Sequence, residues 1–421
     1  MKKNVWILNH YATDVYFDEG GRHFWIGKDL VERGYHVTIF CANTVHKSDQ
    51  QVDVVNGIYE RKQKQGLDFV FIKTKPYMGN GISRVRNMLD YTRNMLRLYR
   101  KYAREFGKPD VIYASSVHPL ALYAGVRVAK CYRIKAICEI RDMWPLTLIE
   151  LGRLKENSLI AKLMFWYERK IYQKADDLIF TMEGGAKYIQ DKGWDTAHGG
   201  KIQINKVHYI NNGMDVEEFL LNREEIRLSD VDLEDKDYFH VVYAGTLGRA
   251  NRIDLILDIA QAIQEKKKPI RFLIWGDGDK REELEQLVKE KNIQNVVFKG
   301  KVSKKYIPYI TSNSDLNISV LENCGLYRYG LSLNKMFDYM VAQRPFIIAG
   351  AVCNCELLEQ NVFCKLCQTS SVEEISDAIL QVYDQKQMHN EIPPYDKETL
   401  KTMCDFEKRT DELVKVIEGV V

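Results

Sequence analysis

No run of about 18 apolar residues, the length a helix needs to span a bilayer, occurs in the 421-residue chain. No secretory leader is legible either. After Met1-Lys2-Lys3 the apolar run Val5–Leu8 gives way at once to Asn9-His10, too short for a leader's core but right for a buried first strand. Neither sign of charge is in surplus: 61 Lys and Arg stand against 58 Asp and Glu, a net of +3. That excludes the strong basic field of a nucleic-acid-binding domain and leaves attraction to anionic surfaces to local clusters. Low-complexity tracts and short-period repeats are missing, and the nine scattered cysteines make no disulfide framework. Only Cys353, Cys355, Cys364 and Cys367 have spacings that resemble zinc half-sites. Cys364–Cys367 reads as strand, where the two thiols would not share a face, so free thiols and no metal are expected. The expected location is the cytoplasm, with a peripheral place on the inner face of the plasma membrane.

What is present is a repeated alternation of short apolar runs with helical spacing. Val5–Leu8 is followed by a Gly20-Gly21 loop, a helix over Arg22–Arg33 that stops at Gly34, and a second strand, Val37–Cys41. This βαβ rhythm predicts a parallel sheet. It continues through Phe69–Ile72, Val111–Ala114, Ala136–Glu139 and Leu178–Phe180. After Val207–Ile210 and the turn Asn211–Asp215, the charge-rich stretch Glu217–Asp237 separates the halves. The rhythm then restarts with His240–Gly245, Arg271–Trp275, Val296–Phe298, Leu316–Val320 and Pro345–Ala349. The fold class is therefore α/β, with two doubly wound Rossmann-like domains across a cleft: 1–210, then 211–395, with a helix over 396–421 returning to the first domain. A single large α/β enzyme with a long insertion is the alternative.

Glycines and charges gather where strands end, which is where open α/β sheets bind ligands. Tyr243–Arg252 follows a strand and opens a helix. There Gly245 and Gly248 let a ligand approach the backbone, while Arg249 and Arg252 add charge at a helix start suited to a diphosphate. Trp275-Gly276-Asp277-Gly278-Asp279 ends another strand and offers a pocket for a nucleobase edge, or else an ordinary tight turn. In Tyr327–Met340, Ser332 is a candidate cap, the first-turn amides and Lys335 make a second anion site, and Asp338 is placed to accept from two ribose hydroxyls. In the first half, His118 follows a strand and could meet a sugar hydroxyl. Glu139, Arg141, Asp142 and Trp144 cluster after the next strand as carbohydrate-binding groups, or as a salt-bridged loop. The helix Ile82–Phe106 carries seven basic residues against Asp90 and Glu105, interleaved with apolar ones, a composition that suits an anionic membrane interface or a packed surface helix.

Taken in order, these segments resemble the GT-B-fold retaining glycosyltransferases of glycosyltransferase family 4, of the bacterial O-antigen and capsule type. The carriers are Gly20-Gly21, Arg141-Asp142-Met143-Trp144-Pro145, Asn212-Gly213-Met214-Asp215 with Phe219, Tyr243-Ala244-Gly245 through Arg249, Trp275-Gly276-Asp277-Gly278, and Ser332 through Met340. Two departures stand out. The family's pair of glutamates falls here on Gly330 and Asp338, and Thr246 replaces the arginine that often follows the glycine matched by Gly245.

The resemblance implies a retaining, metal-independent transfer from a nucleotide sugar, with UDP expected, to a saccharide or polyprenyl-diphosphate-linked acceptor. His118 and Asp142 are the implied catalytic residues. Gly245, Gly248, Arg249, Arg252, Leu333, Asn334 and Lys335 would hold the diphosphate, and Gly276, Asp277, Gly278 and Asp338 the nucleoside. Gly20, Gly21, Arg141 and Trp144 would line the donor and acceptor loop. No cofactor and no nucleic acid are expected, and no Asp-x-Asp is placed to hold a metal between phosphates. A nucleotide-sugar epimerase and a non-catalytic nucleotide- or carbohydrate-binding scaffold are the competing readings.

Overall fold

A computed structural model describes residues 2–46, 48–79, 81–116, 118–389 and 392–420. The chain divides into two compact units, Met1–Asn212 with Phe406–Val421, and Gly213–Asp405. The first holds β1 (Asn4–Leu8), β2 (His36–Ala42), β3 (Tyr59–Lys64), β4 (Leu67–Ile72), β5 (Val111–Ser115), β6 (Lys135–Ile140), β7 (Asp177–Phe180) and β8 (Val207–Tyr209). Their order across the sheet is β3-β4-β2-β1-β5-β6-β7-β8. The second holds β9 (Phe239–Ala244), β10 (Ile270–Trp275), β11 (Val296–Gly300), β12 (Leu316–Val320), β13 (Phe346–Ala349) and β14 (Cys364–Cys367), ordered β11-β10-β9-β12-β13-β14.

Among the described residues these strands all pair in parallel except β3 with β4. The central strands are covered on both faces, which is why they read as unbroken apolar runs such as Leu67–Ile72. Strand β3, Tyr-Glu-Arg-Lys-Gln-Lys, is absent from the sequence reading because it has no apolar alternation. It is an edge strand whose charges keep the sheet from pairing further.

Strand order reverses at β1/β5 in one sheet and at β9/β12 in the other. Open α/β sheets bind ligands at such a point, in the crevice formed by the loops at the strands' carboxyl ends. In the first unit these are the loops after Leu8 and Ser115; in the second they begin at Gly245 and Leu321.

Three sequence expectations change. The stretch Glu217–Asp237 is part of the second unit rather than a spacer. It forms the helices Val216–Glu225 and Val231–Glu234, buries Val216 and Phe219, and pairs Asp230 and Asp232 with Lys299 at 2.7 and 2.8 Å. The C-terminal segment is two helices, Lys397–Cys404 and Phe406–Glu418, broken at the extended Asp405, whose carboxylate accepts from the Val216 amide at 3.1 Å. Only the second of them belongs to the first unit, where Phe406, Leu413, Val416 and Ile417 join a core with Leu30 and Val37. The helix expected to be capped by Ser332 runs Asn334–Ala342, with Leu333 at the cap and no side-chain cap bond.

Candidate active site

In the second unit the loops after β9 and β10 extend their ladder beyond the strands. Gly245 N donates to Trp275 O at 3.0 Å, Leu247 N to Asp277 O at 2.9 Å, and Lys280 N to Leu247 O at 3.2 Å. This contact explains two glycines. A Cβ on Gly276 would lie 1.8 Å from Gly245 O, and one on Gly278 would lie 2.4 Å from Leu247 O. Gly276 also has φ +140°, a backbone region that L side chains rarely adopt. Both glycines are therefore required by loop-on-loop packing, whatever the ligand that the sequence also leads one to expect there. Gly248 meets nothing closer than Asp279 Oδ1 at 3.7 Å, so its steric need is small. Gly276→Ala is expected to force the two loops apart and cost about 3 kcal/mol or more. A urea midpoint unchanged from wild type would show that the loops give way freely.

The interlocked loops wall a cavity of roughly 620 Å3, the size of a small-ligand pocket. Its lining includes Gly245, Gly276, Asp277, Gly278, Lys301 and Lys304. Lys301 and Lys304, which follow β11, were not singled out from sequence. Gly300 at a strand end, beside two lysines, was the available signal.

Behind Gly245, Lys335 Nζ donates to Tyr243 Oη at 3.0 Å and to Asn251 Oδ1 at 3.1 Å. Tyr243 Oη and Asn251 Nδ2 each donate to Thr246 O at 2.9 Å. The ammonium lies 3.2 Å from where a Gly245 Cβ would stand, so Gly245 is what lets it reach the loop. Burial pulls the Lys335 ammonium down to about 8 and pushes the Asp338 carboxyl up to about 7, each countered in part by the other's charge.

The two arginines separate. A 3₁₀ turn, Arg249–Asn251, precedes the helix Ile253–Glu265, so the loop does not open directly into the helix. Arg249 is exposed, whereas the Arg252 guanidinium pairs with Asp254 at 3.0 Å. Asn334 opens the helix Asn334–Ala342 and is exposed, with Leu333 just before it. Gly330 has φ 95° and ψ −178°, a conformation essentially reserved for glycine, so the family's glutamate would be strained on this backbone.

One expectation needs qualifying. Asp277-Gly278-Asp279 has Asp-x-Asp spacing at the end of β10. Asp277 Oδ1 instead accepts from the Gly278 amide at 2.9 Å, and Arg281 stands 3.9 Å away. Among the described residues no three His, Cys, Asp or Glu side chains converge as metal ligands, the Cys353–Cys367 group included.

In the first unit, His118 caps the helix Pro119–Tyr132 and is 1% exposed, too buried to face open solvent; the neighbouring Val117 lies outside the described residues. Its Nε2 is 2.7 Å from Nδ1 of His10, a residue the sequence reading passed over. Gly21 (φ 89°) precedes the helix Arg22–Glu32, and Gly20 lies just before it. Asp142 accepts from Trp144 Nε1 at 3.0 Å and from Thr147 Oγ1, which holds the loop after β6 and fixes the indole. Burial raises the Asp142 carboxyl, and those two hydrogen bonds oppose the rise.

Glu139 is not a carbohydrate ligand. It is fully buried and accepts from Arg22 Nε at 2.6 Å, Ser115 Oγ at 2.7 Å and Tyr113 Oη, with His23 Nε2 at 3.2 Å. Arg141 is half-buried beside it, its amide 3.2 Å from Ser116 Oγ.

Two family models match in tandem, one described as Glycosyltransferase Family 4 over residues 26–218 and one as Glycosyl transferases group 1 over residues 238–385. A curated relative, poly(ribitol-phosphate) alpha-N-acetylglucosaminyltransferase of Staphylococcus aureus (strain COL), is 23% identical over 133 residues, 31% of this chain. The match spans only 25% of that relative's own length. Sucrose-phosphate synthase from Thermosynechococcus elongatus has a similar fold at 15% identity and TM-score 0.71, over 100% of this chain and 99% of that one. Anabaena Alr3699/HepE, in a crystal structure with UDP-glucose, has a similar fold at 13% identity and TM-score 0.65, over 99% of this chain and 100% of that one. With both halves matched in order and both sheets of the expected kind, the chain belongs to glycosyltransferase family 4 and has the GT-B fold.

Proposed function

We propose that the chain transfers a sugar, with retention, from a UDP-sugar to a lipid-linked saccharide at an anionic membrane surface, in the synthesis of a bacterial surface polysaccharide. The observation that carries the donor half is the meeting of the Gly245 loop, the Gly276–Gly278 turn and the Lys335 ammonium beside one cavity. In this reading Lys335 and the exposed Arg249 hold the diphosphate with the first-turn amides at Leu333, Asn334 and Lys335. Arg252 contributes less, since Asp254 already engages it. Asp338 accepts from the ribose, and the turn after β10 takes the base. The UDP-glucose bound by HepE supports the choice of nucleotide. Cationic groups fixed in place stabilise the departing diphosphate without a divalent ion, so chelator should leave transfer intact.

Binding of UDP-glucose as a probe tests the donor half. Alanine at Arg249 or Lys335 should each weaken it by about 1.5–3 kcal/mol, the worth of a charge-assisted hydrogen bond. A carboxylate is needed at Asp338 and an ammonium at Lys335. Affinity should therefore rise with pH through about 7 and fall above about 8. Asp338→Asn should remove the acid limb and Lys335→Arg the alkaline one. Affinity indifferent to all four changes would end the assignment.

The acceptor half rests on the helix Ile82–Phe106. One face buries Met88, Tyr91, Met95, Leu98 and Tyr102. The other exposes Ile82, Val85 and Leu89 together with Arg86, Arg93, Arg97, Arg100, Lys101 and Arg104. The helix is thus packed on its own domain and still leaves apolar and basic groups unspent. Leu159, Ile160, Leu163 and Trp166 on the helix Leu159–Lys174 are exposed as well. Among the described residues no helix is long and apolar enough to cross a membrane. Near an anionic bilayer each Lys or Arg contributes about 1 kcal/mol, and salt screens it. The protein should float with anionic liposomes at low salt, and the triple variant Arg93→Glu, Arg97→Glu, Arg100→Glu should stay behind. Equal behaviour of the two proteins would remove this helix as the anchor. The name of the Staphylococcus aureus relative gives it a phosphate-bearing polymer, which is in keeping with a basic acceptor side.

A further inference from the structure

We propose that the helix Leu159–Lys174 is a lipid-binding element of the first unit: its exposed apolar turns enter the bilayer, and the basic cavity at its far end holds the phosphate of an anionic lipid. The inference deepens the membrane reading and shares its need for an anionic bilayer, but it rests on residues other than those of the helix Ile82–Phe106.

Leu159, Leu163, Trp166, Lys170 and Lys174 recur at steps of four and three, so they share one face of their helix. The first two turns of that face are apolar and strongly exposed, with Leu159 at 82%, Leu163 at 61% and Trp166 at 54%, and Ile160 beside them at 63%. Its last two turns are basic. The acid of the helix, Glu168, is buried and accepts from Tyr172 and Tyr188. A contiguous apolar patch on a surface marks a place that something covers.

Charge decides what covers it. The helix Pro119–Tyr132 packs against both Ile82–Phe106 and Leu159–Lys174. Tyr132 meets Tyr99 and Tyr123 meets Tyr167, each pair with centroids 5.7 Å apart. The three helices carry 13 Lys and Arg against 3 Asp and Glu, in a chain whose net charge is only +3. A second copy docked face to face would set like charges against each other. An anionic bilayer pairs them, takes in the apolar turns, and suits a Trp at its interface.

Where the stripe ends, the last turns of Pro119–Tyr132 and Leu159–Lys174 and the start of β6 wall a cavity of roughly 660 Å3. Val126, Ala129 and Ile134 give it an apolar lining, while Lys130, Arg133 and Lys174 give it charge. Cations at helix C-termini commonly serve the helix's own carbonyls. Here those carbonyls are taken already. The Arg133 and Ile134 amides donate to Lys130 O and Ala129 O at 3.3 and 3.1 Å, and Lys206 Nζ donates to Tyr172 O and Ala175 O at 2.8 and 2.7 Å. Among the described residues Lys130, Arg133 and Lys174 form no ion pair. The other charged lining residues are engaged, Lys135 with Asp177 at 2.8 Å and Asp176 Oδ2 with the Ala136 amide at 2.8 Å. Three uncommitted cations over an apolar floor suit a phosphate that carries a hydrocarbon chain, since free phosphate has nothing to lay on the floor. The cavity is at the amino end of β6, away from the loops after Leu8 and Ser115.

Vesicles of phosphatidylcholine with phosphatidylglycerol, brominated in their acyl chains, test this on the full chain. They should quench Trp166, and Trp166→Phe should lose most of that quenching. Leu159→Ser with Leu163→Ser, both at exposed positions, should weaken binding by about tenfold or more and remove the part that survives high salt. Lys130→Gln, Arg133→Gly and Lys174→Gln together should weaken binding to phosphatidylglycerol vesicles by about tenfold or more. Arg133 has φ 57°, where glycine is at ease, so Arg133→Gly alone keeps the test open if the triple variant fails to fold. An unquenched Trp166 on bound protein, or binding unchanged by the two serines, overturns the proposal and leaves Ile82–Phe106 as the anchor. Equal dependence on phosphatidylglycerol in wild type and cavity variants overturns the headgroup site. So does displacement by inorganic phosphate beyond that by chloride at equal ionic strength, which would mark a site for soluble anions. Binding kept by the Arg93, Arg97 and Arg100 glutamate variant but lost in the serine variant would uphold this element and remove the other helix. Wild type that binds no vesicle ends both, and a dimer abolished by Leu163→Ser would then assign the stripe to a second copy.

Discussion

Arg22→Met is expected to destabilise the first unit by about 3–5 kcal/mol, the cost of leaving a buried charge without its partner. Arg22 and Glu139 have side-chain exposures of 1% and 0%. Burial works against the Glu139 carboxylate. The Arg22 charge, with His23 and Arg141 behind it, overcomes that and holds the group well below the usual carboxylate range. Arg22 also donates to the carbonyls of Asn211 and Ile210 at 2.5 and 3.0 Å, shortly before the chain passes into the second unit at Gly213. Methionine keeps the volume and loses all three bonds. The double variant Arg22→Met, Glu139→Gln should recover part of the loss, because no buried charge is then left unpaired. The single variant's penalty should shrink as pH falls below the carboxylate range and Glu139 takes a proton. Urea unfolding followed by circular dichroism measures both. A single-variant penalty under about 1 kcal/mol would mean that water reaches Glu139 and the pair is not truly buried.

Glu168→Gln is expected to change the pH dependence of stability rather than its level. Glu168 is buried, with Tyr172 Oη donating to Oε1 at 2.8 Å and Tyr188 Oη to Oε2 at 2.9 Å. Burial pushes its carboxyl up to about 8, against an unperturbed 4.5, and the two tyrosine bonds offset only part of that. The folded state therefore keeps a proton that the unfolded chain gives up. Stability is full below the unfolded value and falls as pH rises toward the folded one. The slope is at most about 1.4 kcal/mol per unit, which sums to roughly 5 kcal/mol over the window. Glutamine fills the same space and does not titrate. The variant should match or trail the wild type at pH 5 and exceed it by pH 8–9. Parallel profiles for the two proteins would show that Glu168 is ionised in the folded chain and compensated in some other way.

Much of the architecture was legible because burial on both faces of a parallel strand writes a short apolar run, and crossover helices write a 3.6-residue period between such runs. The helix Ile82–Phe106 was read with the bounds it has, since its apolar stripe and Gly107 are local signals. The strand Cys364–Cys367 was likewise read from its own residues. So were the Gly-rich turns after β9 and β10, with Lys335 and Asp338 on one helix, which together with the first-half segments carry the family resemblance.

Non-local contacts decided the rest. Strand β3 is visible only through its pairing with β4, because an edge strand has no buried face to mark it. That Gly276 and Gly278 are needed for loop packing shows only when Gly245 O and Leu247 O stand where their side chains would be. Glu139 reads as a carbohydrate ligand until Arg22, 117 residues earlier, closes on it. His10 carries no motif at all. It meets His118 only because strand order reverses between β1 and β5, bringing together two loops 108 residues apart. Composition and periodicity report how deeply each residue is buried and in which kind of element. Which buried polar groups face one another depends on topology, and that was settled only when the strands were set in order.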